Sequence, residues 1–289
     1  MKAAGVVLIA ASAVTGCSAT SGDQQTSAES NSGPAASSPA TPDLEAGGLV
    51  ALPDGRELYV RCSGTGSPTV ILEAGDLDNT GSYAFAERDL AAVTRTCVYD
   101  RANLGSSDPA PGPRQLSDLV ADLEGWIVAS GETGPFVLVG TSGGGYISAG
   151  YAVEHPDQIA GMVFVEVGAP FLDPPPEIIE ETRPDNPENT ERRDYLQVEK
   201  DAWAARRLVG DIPVTVISNR YSEDEIAEAE FPSERRGMET NVEQQQGWFV
   251  LSPRAEQLVV TTGHAVEEVD PQLVIDAILD VVSAARAEG

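Results

Sequence analysis

Gly140, Ser142 and Gly144 in "LVGTSGGGY" spell G-x-S-x-G, the spacing that sets a nucleophilic serine on a sharp strand-to-helix turn. A hydroxyl near neutral pH is a poor nucleophile. It needs a base to take its proton, a group to orient that base, and donors for the oxyanion that forms. With 28 glycines in 289 residues the pattern is cheap, so its flanks must decide. Before it, "GPFVLVG" reads as a short buried strand; after it, "YISAGYAVEHP" reads as a helix of small residues stopped by Pro156. Small residues at Gly140 and Gly144 let that strand and helix cross without side-chain collision.

A serine of this kind needs a histidine, and the chain has two. His155 closes the helix that follows the serine, where a cation meets a helix C-terminus favourably, and reads as a structural cap. His264 follows the strand "AEQLVVTTG", and a loop there returns to the sheet edge that carries Ser142. His264 is therefore the candidate base.

The elements around these residues follow an α/β pattern from residue 47 onward, with short apolar runs alternating with helical ones, as in a mostly parallel sheet flanked by helices. "GRELYVRCSG" alternates like an antiparallel edge hairpin strand, and "PTVILEAG", "RTCVYDR", "IAGMVFVEV" and "IPVTVIS" read as buried strands. Leu116, Leu119, Val120, Leu123 and Ile127 recur at helical spacing, with Gly131 at the C-cap position. Val274, Ile278, Leu279 and Val282 mark one face of a last amphipathic helix. The polar stretch 170–210 would be an implausibly long loop unless it carries structure of its own. A small helical cap over the sheet, serving as a lid, resolves this.

Taken in order, "YDRANLGSSDP", "LVGTSGGGY", "HPDQIAGMVFVEVGAP" and "TTGHAVEEVDPQLVIDAI" resemble the landmarks of α/β-hydrolase fold serine hydrolases. The resemblance covers about residues 47–287 and speaks to fold and nucleophile more than to substrate. It implies Ser142 as nucleophile, His264 as base, and oxyanion donors in the backbone N–H groups of Gly143 and of Asp76 in "EAGDLDN". Thr141 departs from the family's frequent histidine before the serine. The acid is less direct. In most members it follows the strand matching "IPVTVIS", yet Arg220 to Ser222 offer no carboxylate there, and Glu223, Asp224 and Glu225 come just after. Other members carry it one strand earlier, where this chain has Glu166. A carboxylate ending an apolar strand is costly unless paired, and His264 would pair it, so Glu166 is preferred over Asp224 and its neighbours.

The N-terminus reads as an address. Met1-Lys2 and the apolar run "AAGVVLIAASAV" fit a signal peptide over residues 1–16, and "VTGC" looks like the lipobox of bacterial lipoproteins, which implies acylation of Cys17. Residues 17–46, rich in Ser, Pro and Ala, form a disordered tether to the hydrolase domain of residues 47–289. The chain is thus expected to be exported and lipid-anchored on the outer face of a bacterial membrane. An exported chain most simply pairs its two remaining cysteines, and in the fold that the resemblance implies, the strands of Cys62 and Cys97 are neighbours, so a disulfide between them is expected.

Forty-six acids against 18 Lys plus Arg give a net charge of −28, which repels phosphate backbones and excludes nucleic acid as a natural partner. With two histidines and no clustered ligands, no metal or cofactor is implied. The expected partner is a small-molecule acyl substrate, and a monomer is assumed. The expected activity is hydrolysis of esters or related acyl bonds. An acyltransferase or small-peptide peptidase is the alternative on the same fold, and a non-catalytic surface binding lipoprotein the alternative of another class.

Overall fold

A computed structural model of the chain describes residues 44–171 and 173–287. Cys17, the signal peptide and nearly all of the expected tether lie outside them. Eight strands form one sheet: β1 (Gly48–Ala51), β2 (Glu57–Ser63), β3 (Thr69–Glu73), β4 (Thr96–Tyr99), β5 (Phe136–Thr141), β6 (Ile159–Val165), β7 (Val214–Asn219) and β8 (Ala255–Val260). Their order is β1-β2-β4-β3-β5-β6-β7-β8, antiparallel at β1–β2 and β2–β4 and parallel from there on. β2 is therefore an inner strand, because the short segment "GLVA" of β1 pairs outside it and takes the edge. The packed part also reaches back to Leu44, which is buried and whose carbonyl accepts from the Cys62 N–H.

A parallel sheet covered on both faces needs apolar side chains at odd and even strand positions alike. In β5, Phe136 and Leu138 join the core cluster that includes Leu119, Leu123 and Ile127 of the helix Leu116–Ser130, together with Ile147 of the helix Gly144–Glu154. Val137 and Val139 join the opposite cluster, with Val274 and Ile278 of the helix Pro271–Arg286. Gly131 ends the first of these helices in the left-handed conformation at φ 74°, which glycine adopts without a Cβ penalty.

Cys62 and Cys97 stand opposite one another across β2 and β4, with Cα atoms 4.0 Å apart, and are joined in a disulfide. His155 stacks on Tyr151, ring centroids 4.5 Å apart, while its Nε2 lies 3.8 Å from a Glu124 carboxylate oxygen, consistent with a structural place at its helix end.

Two helical excursions interrupt the sheet pattern. Residues 170–210 carry helices Pro176–Glu181 and Tyr195–Ala205, the second adding Val198 and Ala202 to the first core cluster. Between β7 and β8 lie three more short α-helices, Glu223–Glu228, Pro232–Glu239 and Asn241–Gln245. These have few apolar residues, so no hydrophobic period marks them in the sequence, and the last supplies part of the site.

Candidate active site

Ser142 follows the last residue of β5 and precedes the helix Gly144–Glu154, with its backbone in the left-handed region at φ 46°. That conformation costs a non-glycine residue of order 1–3 kcal/mol and persists only where surroundings enforce it. Here the Ser142 N–H donates to the Val165 carbonyl at 2.8 Å, tying the turn to the end of β6. A Cβ at Gly140 would stand 2.4 Å from the Gly145 Cα, and one at Gly144 would stand 2.3 Å from the Ala74 carbonyl. Only glycine fits either place. Thr141, just before the serine, shares a 2.8 Å hydrogen bond with the buried Tyr83 hydroxyl beneath the turn.

His264 lies beyond the end of β8 and reaches back over the sheet edge. Its Nε2 is 3.1 Å from Ser142 Oγ, and its Nδ1 is 3.4 Å from Glu166 Oε2. Glu166 is the residue after β6, also in the left-handed region at φ 51°, with its N–H donating to the Ile217 carbonyl. Its buried carboxylate accepts further hydrogen bonds from the Asn219 N–H, Asn241 Nδ2 and Gln245 Nε2 on Oε1, and from the Tyr221 hydroxyl on Oε2. Gln245 is oriented in turn, its Oε1 accepting from Ser218 Oγ at 2.8 Å. Burial pushes the Glu166 carboxyl up, but the donors from His264, Asn219, Gln245 and Asn241 outweigh it and hold the group below the usual carboxylate range. The hydrogen bond to Glu166 raises His264 above its ordinary value against partial desolvation, and the charges of Glu166, Glu267 and Asp76 add to the rise.

Asp224 and its neighbours are placed elsewhere. Asp224 is exposed in the first turn of the helix Glu223–Glu228, and Glu225 closes a capping box with Ser222. Gly143 and Asp76, by contrast, line the same cleft as Ser142, His264 and Glu166. Among the described residues, no protein acceptor takes the backbone N–H of Gly143 or of Asp76. The cleft holds about 170 Å³ and also presents Tyr146, Phe171 and Glu199. Burial, reinforced by the Asp76 charge, pushes the Glu199 carboxyl up to about 7. Among the described residues the one cluster with metal-ligand spacing is Cys62, Cys97 and Glu132, whose two sulfurs are already bonded to each other.

Several contributors carry no local sequence signal. Tyr221, Asn241 and Gln245 surround Glu166 from 55, 75 and 79 residues away. Arg101 meets Glu191 from 90 residues away, and Arg193, two residues after Glu191, reaches Asp76 from 117 residues away. The i,i+4 spacing of Asn241 and Gln245 places both on one helix face, but nothing local points that face at a carboxylate.

A family model described as alpha/beta hydrolase fold matches residues 68–246. An uncharacterized protein of Schizosaccharomyces pombe is 30% identical over 137 residues, 47% of this chain and 25% of that protein. The chain thus spans about a quarter of that relative's length. Among solved structures, a thermophilic esterase from Thermogutta terrifontis superposes with a TM-score of 0.62 at 19% identity, over 83% of this chain and 98% of the other. A putative acyltransferase from Salmonella enterica gives 0.62 at 18% identity, over 85% and 98%. Likenesses at this identity establish the fold alone.

Proposed function

The chain belongs to the alpha/beta hydrolase fold family, and from that premise we propose that it is a serine hydrolase cleaving carboxylic esters or related acyl bonds through an acyl-enzyme on Ser142. The observation that carries this reading is the hydrogen-bonded line from Ser142 Oγ through His264 to Glu166, at 3.1 and 3.4 Å, ending on a buried carboxylate that accepts hydrogen bonds from four further groups.

As Ser142 Oγ attacks the substrate carbonyl, His264 Nε2 takes its proton, and Glu166 keeps the Nδ1–H in place and stabilises the imidazolium. The N–H groups of Gly143 and Asp76 receive the oxyanion, and His264 then gives its proton to the leaving alcohol. In the second half-reaction a water molecule loses a proton to His264 and attacks the acyl-enzyme, and His264 then returns that proton to Ser142 Oγ as the acid leaves. The cleft of about 170 Å³ favours a short acyl group. His264 is 58% exposed in its side chain, which favours water over another acceptor and so hydrolysis over acyl transfer.

Export on an acylated Cys17 is part of the proposal. The Cys62–Cys97 disulfide supports it, since such bonds persist in oxidising compartments.

Turnover of a p-nitrophenyl ester series from acetate to palmitate tests the reading. Wild-type protein is expected to favour the shortest esters, and Ser142→Ala to lose at least about 10⁴-fold in kcat. A folded wild-type protein inert toward the whole series, or a Ser142→Ala variant that retains turnover, would overturn it.

A further inference from the structure

Arg101 is buried in the loop after β4, and its guanidinium is fully used. Nη1 donates to Glu73 Oε1 at 2.9 Å and to the Ala74 carbonyl at 2.6 Å. Nη2 donates to the Gly75 carbonyl at 2.6 Å and to Glu191 Oε1 at 2.9 Å, and Nε to Glu191 Oε2 at 2.9 Å. Glu191 Oε1 also accepts the Leu77 N–H at 2.6 Å. Loop 74–77 is thus held at two carbonyls and one N–H, and the Asp76 N–H lies between these anchors.

The Gly75 carbonyl and the Asp76 N–H belong to one planar peptide, so fixing the carbonyl fixes the direction of the N–H. A cationic donor on that carbonyl also polarises the N–H, because hydrogen bonds on the two ends of a peptide strengthen one another.

Two residues after Glu191, Arg193 links this loop to the serine turn. Arg193 is completely buried, with Nη1 2.6 Å from Asp76 Oδ1 and Nη2 2.9 Å from the Gly143 carbonyl. Asp76 lies so close that a Cβ on Gly143 would stand 1.7 Å from its Oδ1. One rigid guanidinium fork therefore spans the two segments that carry the proposed oxyanion donors. The side chain of Asn189 brackets the Arg193 backbone, accepting its N–H at 3.3 Å and donating to its carbonyl at 2.7 Å. A buried ion pair is weak evidence for stability, since an apolar side chain serves packing as well, and these charges sit on the carbonyls of loop 74–77 and of Gly143.

We infer that Arg101, Glu191 and Arg193 form a clamp that sets the two oxyanion-donating segments, and that Arg193, carried in by the cap insertion, is the positioning residue that holds them in register. The inference rests on the oxyanion roles proposed for Gly143 and Asp76. The clamp makes the cap insertion part of the catalytic geometry as well as a cover over the cleft. Burial alone would raise Glu191, yet the charge and hydrogen bonds of Arg101, with help from Arg193 and the Leu77 N–H, hold it at about 2, so the clamp stays ionised at neutral pH.

The test measures kcat, KM and affinity for a trifluoromethyl ketone, whose hemiketal adduct with Ser142 Oγ mimics the tetrahedral oxyanion, in wild type, Arg193→Gln and Arg193→Lys. Arg193→Gln is expected to lose about 10- to 100-fold in kcat with KM within about threefold, and to lose ketone affinity by a similar factor. Arg193→Lys, which keeps the charge but reaches one segment at a time, is expected to fall between the two. Arg101→Lys, which leaves the Arg193 fork in place, is expected to lose kcat with KM preserved, and so covers the case in which Arg193→Gln fails to fold. Folded variants with wild-type kcat and ketone affinity, or with losses confined to KM, would overturn the clamp. Wild-type turnover abolished by Ser142→Ala stands independently of these variants, and its failure would overturn the underlying serine-hydrolase reading instead.

Discussion

Glu166 Oε2 lies 3.4 Å from His264 Nδ1, and Glu166 stands at the end of β6 rather than β7. The partner of the histidine therefore comes from the strand next to the one that carries Ser142. Replacing Glu166 with Gln keeps the size and removes the charge that holds the histidine tautomer. Steady-state kinetics on a short ester are expected to show a kcat loss of order 10³- to 10⁴-fold for Glu166→Gln and less than about twofold for Asp224→Asn. The reverse ranking would move the acid to the segment after β7.

In the proposed mechanism the neutral form of His264 is the base, so activity is expected to fall as pH drops through its pKa, and because that pKa is raised above 6.5 the acid limb of the profile is expected above pH 6.5. Glu166, Glu267 and Asp76 all raise the group, and removal of the Glu166 charge is expected to move the limb of kcat/KM downward. Glu199 titrates near 7 in the same cleft, so the profile of Glu199→Gln separates the two groups. The limb that survives in that variant is the one assigned to His264.

Gln245 is fully buried, with its amide nitrogen donating to Glu166 and Asn241 and its amide oxygen accepting from Ser218. Gln245→Leu strips a donor from a buried carboxylate, and urea unfolding at pH 7 is expected to show a loss of about 1–3 kcal/mol. Because the folded pKa of Glu166 lies below 4.5, its contribution is fully present above pH 4.5 and is lost as pH falls through the folded value. The difference between wild type and variant should accordingly shrink in acid. A difference that is unchanged between pH 7 and the acid range would argue against a charged Glu166.

The Cys62–Cys97 bridge closes a separation of 35 residues, for which loop entropy gives about 2–4 kcal/mol. Thermal melts with and without reductant are expected to differ accordingly, with Cys62→Ser in oxidising buffer matching the reduced wild type. Equal melting temperatures would show that the bridge contributes nothing to stability.

How much of this was legible in the sequence depends on how local each signal is. Ser142 announces itself through contacts within a few residues, since Gly140 and Gly144 are needed where strand and helix cross. His264 was legible because it follows a strand that ends at the same sheet edge. Glu166 was half-legible. A carboxylate ending "GMVFV" asks for a partner, but Asn241 and Gln245 lie beyond a polar helical stretch without an apolar period. The partnering of Arg101, Glu191 and Arg193 left no mark, because their side-chain hydrogen-bond partners stand 26 to 117 residues away and a charged residue in a polar segment looks like any solvated charge. The edge position of β1 was hidden for another reason. Four residues of "GLVA" are too short to show alternation.

The central claim is that Ser142 is the nucleophile, activated by His264. A fluorophosphonate reacts only with a serine whose proton can be taken as it attacks, so the direct measurement is peptide mapping by mass spectrometry after treatment with such a probe. One phosphonyl adduct on the peptide that contains Ser142 is expected, absent in Ser142→Ala and formed far more slowly in His264→Ala. No adduct on folded wild-type protein, or an adduct that persists when Ser142 is replaced, would contradict the account.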